Sequence, residues 1–336
     1  MNARAAVVGA GSWGTTFAAV LADAGCRVTV WGRDERVCRQ IADEHRNDPY
    51  LPGVRLPDAV DARPDLVAAV EHADLVVVAV PAQSARATLA PLAGRLGPTT
   101  VAVSLMKGVE LATGQRMSQV LADVLGLPAA RIAVVSGPNL AHEIAARQPT
   151  ATVVAASSRE TADLVAAACA STYFRPYTNG DVVGVELCGA VKNVIALAVG
   201  ISQGRGLGFN TMATLITRGL AEITRLGRVL GADERTFGGL AGMGDLMATC
   251  ASPDSRNHRL GMLVGQGLVL PDAIAETGGT AEGVKTSRAV LELARRLGVD
   301  MPITEGVVEV LDGSLPIEEL APRLLARPRK SEGHPS

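Results

Sequence analysis

The fold is decided by residues 4–34, RAAVVGAGSWGTTFAAVLADAGCRVTVWGRD. A short apolar run at 5–8 ends in a glycine-rich turn, which is followed by a segment with the apolar spacing of a helix. Gly25 ends that helical pattern, and a second apolar run follows at 28–31. The stretch therefore predicts a strand, a tight turn, a helix and a second strand.

The predicted turn after the first strand has the spacing G-x-G-x-x-G, formed by Gly9, Gly11 and Gly14. Gly9 permits a tight turn, Gly11 lets the backbone approach a pyrophosphate, and Gly14 lets the helix pack closely on the strand. The N-terminus of the helix offers N–H groups and a partial positive charge to phosphates. In this strand–turn–helix context, the motif predicts a dinucleotide-binding site.

The end of the second predicted strand indicates which nicotinamide dinucleotide is bound. NAD-selective sites carry an acid there that bonds the ribose 2′-OH, whereas an arginine accommodates a 2′-phosphate. Here Arg33 comes first and Asp34 is displaced outward. The sequence therefore predicts NADPH, or tolerance of NADPH and NADH, and a merely solvated Arg33 is the alternative.

The alternation of strands and helices continues to about residue 180. Further apolar runs that predict strands lie at 73–82, 99–108, 131–139, 150–157 and 172–179. The pattern predicts an α/β, Rossmann-like, doubly wound and mostly parallel sheet with helices on both faces. Because ligands bind beyond the carboxyl ends of such strands, Lys107 is predicted to point toward the cofactor cleft.

The second half of the chain is predicted to be all-helical. Helical patterns, many of them bounded by glycine or proline, cover residues 181–203, 209–230, 255–265, 282–297, 302–312 and 317–326. We therefore expect a Rossmann-like domain over residues 1–180, an all-α substrate and catalytic domain over 181–327, and a disordered polar tail over 328–336.

Three polar clusters stand out in the helical half. They are Lys192 with Asn193 in an apolar helix, Asp245 with Thr249 in a glycine-rich stretch, and Arg256 with Asn257 in the first turn of a helix that Ser252, Asp254 or Ser255 could cap. Asp245 and Thr249 are four residues apart and share one face if a helix begins there. A helix N-terminus with such side chains predicts an anion site, and a buried lysine requires a partner or loses its proton. Purely structural interpretations stay open, such as a Lys192–Glu186 bridge, a helix cap at Asp245 or a solvated Arg256.

Composition excludes several classes of protein. The net charge is −2 and aromatic residues make up 3% of the chain, so there is no basic field or stacking platform for nucleic acid. The five cysteines have no metal-ligand spacing, and no metal site is predicted. Residues 182–201 approach the length of a membrane span but contain Glu186, Lys192 and Asn193, which predicts a buried helix of a soluble, cytoplasmic protein.

The chain resembles the bacterial NAD(P)-dependent glycerol-3-phosphate dehydrogenases along nearly its whole length. The combination of G-A-V-K-N, G-x-G-D-L and S-R-N, in this order, is highly specific. The segments that carry the resemblance are VVGAGSWGTTFA, YLPG, MKGVE, SGPNLAHE, VGVELCGAVKNVIALAVGI, NTMATLITRGLAEITRLG, GMGDLMATC, SRNHRLG, TAEGVKT and MPITEGV.

This resemblance implies reversible reduction of dihydroxyacetone phosphate to sn-glycerol 3-phosphate, a precursor of glycerophospholipids, by a homodimer. It implies that Lys192 is the general acid–base, and that Lys107, Asp245, Asn193 and Thr249 support it. The implied substrate contacts are Lys107, Gly137, Asn139, Lys192, Asp245, Ser255, Arg256 and Asn257. The implied cofactor contacts, besides the three glycines, are Ser12, Trp13, Arg33, Tyr50, Lys107, Ala141, Arg256, Thr280 and Glu282.

A mechanism consistent with these roles transfers hydride from nicotinamide C4 to the C2 carbonyl and a proton from Lys192 to the developing alkoxide. Burial and Lys107 would lower the pKa of Lys192, and Asp245 would orient it and limit that depression. The alternatives are a 3-hydroxyacid or ketopantoate dehydrogenase, whose substrate carries a carboxylate in place of a phosphate, and a non-catalytic NAD(P)H sensor.

Overall fold

The computed structural model describes residues 3–278 and 282–326. Thr280 and the predicted tail over 328–336 lie outside the described residues. The N-terminal part alternates strands with helices, and the part that follows is helical, as predicted.

The strands of the described part form one large sheet and one small hairpin. The strands are β1 (Arg4–Val8), β2 (Arg27–Trp31), β3 (Arg46–Asn47), β4 (Leu51–Arg55), β5 (Val60–Arg63), β6 (Leu75–Val78), β7 (Val101–Ser104), β8 (Ile132–Ser136), β9 (Thr150–Ala156) and β10 (Phe174–Asn179). In the large sheet the order is β10-β9-β8-β7-β6-β1-β2-β5, and β3 and β4 form the hairpin.

Helices cover both faces of the sheet and build the C-terminal part. The α-helices of the N-terminal part are α1 (Ser12–Asp23), α2 (Glu35–Glu44), α3 (Leu66–Val70), α4 (Ala85–Leu89), α5 (Met117–Leu125), α6 (Ala141–Ala145) and α7 (Arg159–Cys169), with 3₁₀ turns at Ala82–Ser84, Ala90–Leu92 and Ala129–Arg131. Those that follow are α8 (Val182–Gly204), α9 (Phe209–Val229), α10 (Glu234–Phe237), α11 (Asp245–Ala251), α12 (Arg256–Gly265), α13 (Leu270–Glu276), α14 (Glu282–Arg296), α15 (Pro302–Leu311) and α16 (Ile317–Leu325), with a π-helical turn at Leu240–Gly244.

The sheet is buried on both faces, which explains why its strands are continuous apolar runs. Along β1, Ala5 and Val7 join one hydrophobic cluster, whereas Ala6 and Val8 join another on the opposite face. Neighbouring side chains of a strand point to opposite faces, so a strand covered on both sides must be apolar at every position.

One strand pair departs from the parallel arrangement. β9 runs antiparallel to β8, whereas the other pairs of the large sheet are parallel. The connection from Ser136 to Thr150 carries only the short helix α6. A parallel return requires a full crossover connection, and this link is close to the minimum length, so the antiparallel return is the simpler solution.

The sequence patterns missed several short elements. The hairpin of β3 and β4, strand β5, the short helix α10, the π-helical turn and α13 have no predicted counterpart. Elements of two to seven residues are too short to establish a period in the sequence.

Helix α8 is the central element of the C-terminal part. It is long and apolar enough to span a bilayer by length and composition, but 83% of its apolar window is buried inside the protein. The Asp181 carboxylate caps its first turn by accepting from the Gly184 N–H at 2.8 Å. Its other oxygen accepts from the Thr236 hydroxyl at 2.7 Å and from the Asp233 N–H at 3.0 Å, which joins α10 to the start of α8.

Helices α8 and α12 cross at backbone contact. A Cβ added to Gly200 would lie 2.2 Å from the carbonyl oxygen of His258, and one added to Gly261 would lie 2.3 Å from that of Leu197. Gly204 and Gly265 repeat the contact one turn later. Residue numbers rise in the same direction along both helices through these contacts. The start of α12 therefore lies on the same side of the crossing as Lys192.

Candidate active site

The glycine-rich turn has the backbone geometry that a dinucleotide cradle requires. Gly9 has φ +127°, and a Cβ there would lie 2.6 Å from the Ala79 carbonyl oxygen. A Cβ on Gly14 would lie 2.0 Å from the Gly9 oxygen, whereas a Cβ on Gly11 would meet no atom within 4 Å. Thus Gly9 and Gly14 serve the turn and the packing of the helix, and Gly11 leaves space for a ligand at the start of α1.

The surroundings of this turn fit a nicotinamide dinucleotide. The start of α1 has no side-chain cap, so its N–H groups are available to phosphates. The Trp13 indole N–H is buried and finds no hydrogen-bond partner among the described residues. The Ser12 hydroxyl donates to the Tyr50 carbonyl oxygen at 2.7 Å, which ties the segment carrying Tyr50 to the turn.

Asn47 is a residue of this site that the sequence analysis missed. Its side chain is buried and donates to the Ala10 carbonyl oxygen at 2.9 Å and to the Thr15 hydroxyl at 2.7 Å. It therefore holds the glycine-rich turn from strand β3, thirty-seven residues away. An asparagine in a polar stretch gives no periodic signal that would identify it.

At the carboxyl end of β2, Arg33 is exposed. Asp34 caps α2 by accepting from the Arg36 N–H at 2.9 Å, and it also pairs with the Arg36 guanidinium. The acid that follows the strand is thus engaged by its own helix, which leaves Arg33 as the charged side chain at the strand end.

The Asp245 carboxylate brings two lysines together from distant parts of the chain. Lys107, beyond the end of β7, donates to Asp245 Oδ2 at 2.7 Å and to the Gly137 carbonyl oxygen at 3.1 Å. Lys192, in the middle of α8, donates to Asp245 Oδ1. Asp245 is 1% exposed, so two cationic side chains share one buried carboxylate.

Thr249 and Asn193 complete the hydrogen bonding of this cluster. The Thr249 hydroxyl donates to the Asp245 carbonyl oxygen at 2.6 Å, one helical turn earlier, and accepts from Lys192 Nζ at 2.7 Å. The Asn193 side chain donates to the Lys107 carbonyl oxygen at 3.4 Å. The prediction that Asp245 and Thr249 lie on one face of a helix is borne out by this contact.

The pKa of Lys192 is lowered from its usual value of 10.5 to about 7. Burial is the main cause, because the ammonium loses its hydration; the charge of Lys107 lowers the pKa as well, and Asp245 opposes both. A side chain with this pKa changes its charge near neutral pH, a property that suits proton transfer.

The structural alternative, a bridge from Lys192 to Glu186, is not what the structure shows. Glu186 forms a buried ion pair with Arg116 and accepts from the Ser118 N–H at 2.7 Å and the Ser118 hydroxyl at 2.6 Å. The two side chains of α8 are six residues apart, more than one and a half turns, and so point in different directions. Glu186 anchors α8 to α5, and Lys192 faces Asp245.

One of the predicted substrate residues after β8, Gly137, contacts Lys107. Gly137 has φ +150° and supplies its carbonyl oxygen to the lysine. The Asn139 side chain donates to the Thr152 hydroxyl at 3.0 Å, and its buried Oδ1 has no hydrogen-bond partner among the described residues. Ala141 begins α6, and its carbonyl oxygen accepts from the Thr16 hydroxyl of α1 at 3.3 Å.

The third predicted cluster forms the N-terminus of α12. Of the three candidate caps, Ser255 is the cap residue, and its hydroxyl accepts from the His258 N–H at 3.3 Å. Arg256 and Asn257 occupy the first turn, and the Asn257 amide lies against Gly283 of α14, where a Cβ would be 2.1 Å from its Oδ1. Thr280 and the side chain of Glu282, which were predicted to contact the cofactor, lie outside the described residues.

Among the residues that the structure describes, no group of three or more His, Cys, Asp or Glu side chains could hold a metal ion.

The glycine-rich turn at the first strand of a mostly parallel sheet and the buried lysine pair define a Rossmann-type, nicotinamide-dependent dehydrogenase. Models of the NAD-dependent glycerol-3-phosphate dehydrogenase N-terminus and C-terminus match residues 4–162 and 181–322. The chain belongs to the NAD-dependent glycerol-3-phosphate dehydrogenase family.

Individual relatives agree with this assignment. The chain is 58% identical over 330 residues to a glycerol-3-phosphate dehydrogenase [NAD(P)+] of Streptomyces griseus, with 98% of each chain covered. A crystal structure of glycerol-3-phosphate dehydrogenase from Coxiella burnetii superposes with a TM-score of 0.92 at 36% identity, covering 97% of this chain and 99% of that one. The chain is thus an oxidoreductase, and its reaction is that of glycerol-3-phosphate dehydrogenase. This assignment excludes the two alternatives, a non-catalytic NAD(P)H sensor and a dehydrogenase of a carboxylate substrate.

Proposed function

We propose that this enzyme reversibly reduces dihydroxyacetone phosphate to sn-glycerol 3-phosphate, that Lys192 supplies the proton, and that the product enters glycerophospholipid synthesis. The observation that carries the proposal is the shared carboxylate of Asp245. It holds Lys192 and Lys107 together in a buried setting, where the first of them titrates near neutral pH.

The nicotinamide cofactor, when bound, supplies the hydride that reduces the C2 carbonyl. Negative charge then develops on the carbonyl oxygen, and the Lys192 ammonium stabilises that charge and donates its proton to it. The neutral amine that remains keeps its contacts with Asp245 and the Thr249 hydroxyl, so its position is preserved for the reverse reaction. Lys107 balances the Asp245 carboxylate throughout.

The substrate phosphate is assigned to the N-terminus of α12, with contacts from Ser255, Arg256 and Asn257. Backbone N–H groups of a helix start and the Arg256 guanidinium are suited to a phosphate. Gly137 and Asn139 are proposed as further substrate contacts, because Gly137 contacts Lys107 and the Asn139 Oδ1 has no hydrogen-bond partner among the described residues. Binding of the phosphate group orients the C2 carbonyl, although the phosphate itself takes no part in the bond changes.

The cofactor is assigned to the glycine-rich turn and its neighbours. Its proposed contacts, by side chain or backbone, are Gly9, Gly11, Ser12, Trp13, Gly14, Arg33, Tyr50, Lys107, Ala141, Arg256, Thr280 and Glu282. NADPH is favoured over NADH, since Arg33 is free to meet a 2′-phosphate whereas Asp34 is engaged by Arg36.

Residues 1–180 are proposed as the cofactor domain and 181–327 as the substrate domain, because the sheet ends at Asn179 and Asp181 caps α8. A cytoplasmic location is part of the proposal, and the burial of α8 inside the protein is what a core helix of a soluble enzyme would show. A homodimer is favoured by exposed apolar side chains at the start of α9, where Phe209 is 78% exposed.

The test is steady-state oxidation of NADPH, and separately of NADH, with dihydroxyacetone phosphate and with phosphate-free dihydroxyacetone. Lys192→Met should reduce turnover about 100-fold or more while cofactor affinity is retained. Lys285→Met, which alters an exposed lysine of α14, is the matched control. Arg256→Ala should raise KM for the phosphorylated substrate and leave that for dihydroxyacetone nearly unchanged. Wild-type turnover by Lys192→Met would overturn the acid–base role.

A further inference from the structure

The segment that delivers Asp245 to the two lysines begins with a π-helical turn, Leu240–Gly244. The Gly244 N–H donates to the Gly239 carbonyl oxygen, five residues earlier, at 3.1 Å. α11 continues directly from this turn. One extra residue in a helical turn rotates everything that follows by about 100° relative to a regular α-helical turn.

That rotation determines which way the first residue of α11 points. Asp245, Leu246, Thr249 and Cys250 are buried, and Met247 is 43% exposed. A rotation of about 100° would swing Asp245 away from α8, so that its carboxylate would no longer bridge the lysines. The wide turn is therefore the local feature that aims Asp245 inward.

Gly242 is the residue on which the wide turn depends. It is buried, and a Cβ added there would lie 2.1 Å from the Phe237 carbonyl oxygen and 2.6 Å from the Phe237 carbonyl carbon and Cα. These are backbone atoms of α10, and they cannot rotate away as a side chain could. The turn can keep its present course only if position 242 has no side chain.

The backbone that limits Gly242 is itself fixed. Asp181 accepts from Thr236 and Asp233 and so binds α10 to the first turn of α8, the helix that carries Lys192. The Phe237 ring fills the space above Gly227 of α9, where a Cβ would lie 2.2 Å from the ring. A side chain at position 242 must therefore displace the π-helical turn, since α10 is held on two sides.

We propose that Gly242 is a positioning residue of the dehydrogenase reaction, because it permits the π-helical turn that places the Asp245 carboxylate between Lys107 and Lys192. It contacts neither substrate nor cofactor and acts through Asp245. This inference rests on the proposed proton transfer by Lys192.

The test is Gly242→Ala in the full-length enzyme. Displacement of the Asp245 carboxylate removes the negative charge that favours the Lys192 ammonium, so the descending limb of the pH profile of dihydroxyacetone phosphate reduction should move to lower pH. A displacement of about 1 Å should lower kcat about 100-fold, whereas NADPH affinity stays within a factor of about two. Gly238→Ala is the matched control, because this exposed glycine precedes the turn and its Cβ would meet the nearest atom at 3.9 Å.

A double-mutant cycle separates positioning from a general structural effect. In the Asp245→Asn background, Gly242→Ala should cause no further movement of the pH profile, because both changes remove the same contact. An additive movement would overturn the proposal, as would a wild-type profile for Gly242→Ala alone.

A milder variant covers the case in which Gly242→Ala does not fold. Gly239→Ala places a Cβ 3.3 Å from the Thr236 carbonyl oxygen, at the other end of the same turn, and should move the limb in the same direction by less. An unmoved limb in this variant would count against the proposal. Loss of turnover in Lys192→Met with no effect at either glycine would refute the positioning role alone, whereas full turnover in Lys192→Met would refute the proton-transfer role on which it rests.

Discussion

Asp245→Asn is the most informative single substitution in this active site. The carboxylate accepts from both lysines with separate oxygens, whereas an amide has one acceptor oxygen and presents an NH₂ group with the other. One ammonium therefore loses its acceptor and faces a donor. Asp245 raises the pKa of Lys192, while burial and Lys107 lower it to about 7, so removal of Asp245 must lower that pKa further.

The size of the effect follows from the contact distance. Coulomb's law gives about 5 kcal/mol for unit charges about 3 Å apart at an effective dielectric constant of about 20. Relaxation of the site and entry of water offset much of this energy, and a neighbouring opposite charge typically displaces a pKa by about 1 to 3 units. At a pH above the Lys192 pKa of both the wild type and the variant, each unit by which the pKa falls lowers the protonated fraction of Lys192 about tenfold. The rate of ketone reduction falls with it.

The assay is kcat for dihydroxyacetone phosphate reduction at saturating NADPH between about pH 5 and pH 9. We expect the descending limb near pH 7 in the wild type and at lower pH in Asp245→Asn. In the reverse direction, which requires the neutral amine, the ascending limb should move to lower pH as well. Asp272→Asn, at an exposed acid of α13, controls for the change in net charge. A limb that stays in place or moves upward in Asp245→Asn would refute the electrostatic argument.

Three other substitutions test other parts of the molecule. Arg33→Glu should move the ratio of kcat/KM values from NADPH toward NADH, and an unchanged ratio would leave Arg33 as a solvated side chain. Glu222→Ala removes the buried acceptor of two backbone N–H groups and one hydroxyl at the start of α15. It should lower the free energy of unfolding, measured in urea, by about 3 kcal/mol, and Glu222→Gln should lower it by less. Gly261→Ala forces α12 away from the Leu197 carbonyl oxygen and should lower the free energy of unfolding by about 1 to 3 kcal/mol in the same experiment. An unchanged midpoint of urea unfolding would mean that the helix crossing can accommodate a Cβ at this position.

The features that the sequence predicted correctly depend on local spacing. The glycine-rich turn, the buried strands and the long helices each repeat a pattern within a few residues, and the backbone conformation at Gly9 follows directly from that spacing. The proximity of Asp245 and Thr249 followed from a four-residue interval in a helix. Such features are set by the chain over one or two turns.

The features that the sequence could not predict depend on packing between distant segments. Asp245 meets Lys107 across 138 residues and Lys192 across 53, and neither interval carries a period. For the same reason the sequence does not identify the partner of Glu186, because its ion pair reaches back 70 residues to Arg116. The antiparallel return of β9 and the π-helical turn each depend on the length of a short connection, which leaves no hydrophobic pattern.

The hydrogen bonds that Asp34 already makes have a consequence for redesign of the enzyme. Its carboxylate caps α2 and pairs with Arg36, so deletion of the Arg33 guanidinium alone does not release an acid for a ribose hydroxyl. A switch to NADH requires a new carboxylate one position earlier, or a replacement cap that frees the old one. Cofactor exchange in this chain can thus start from either of two positions, and a library that varies position 33 alone would sample only the first of these two routes.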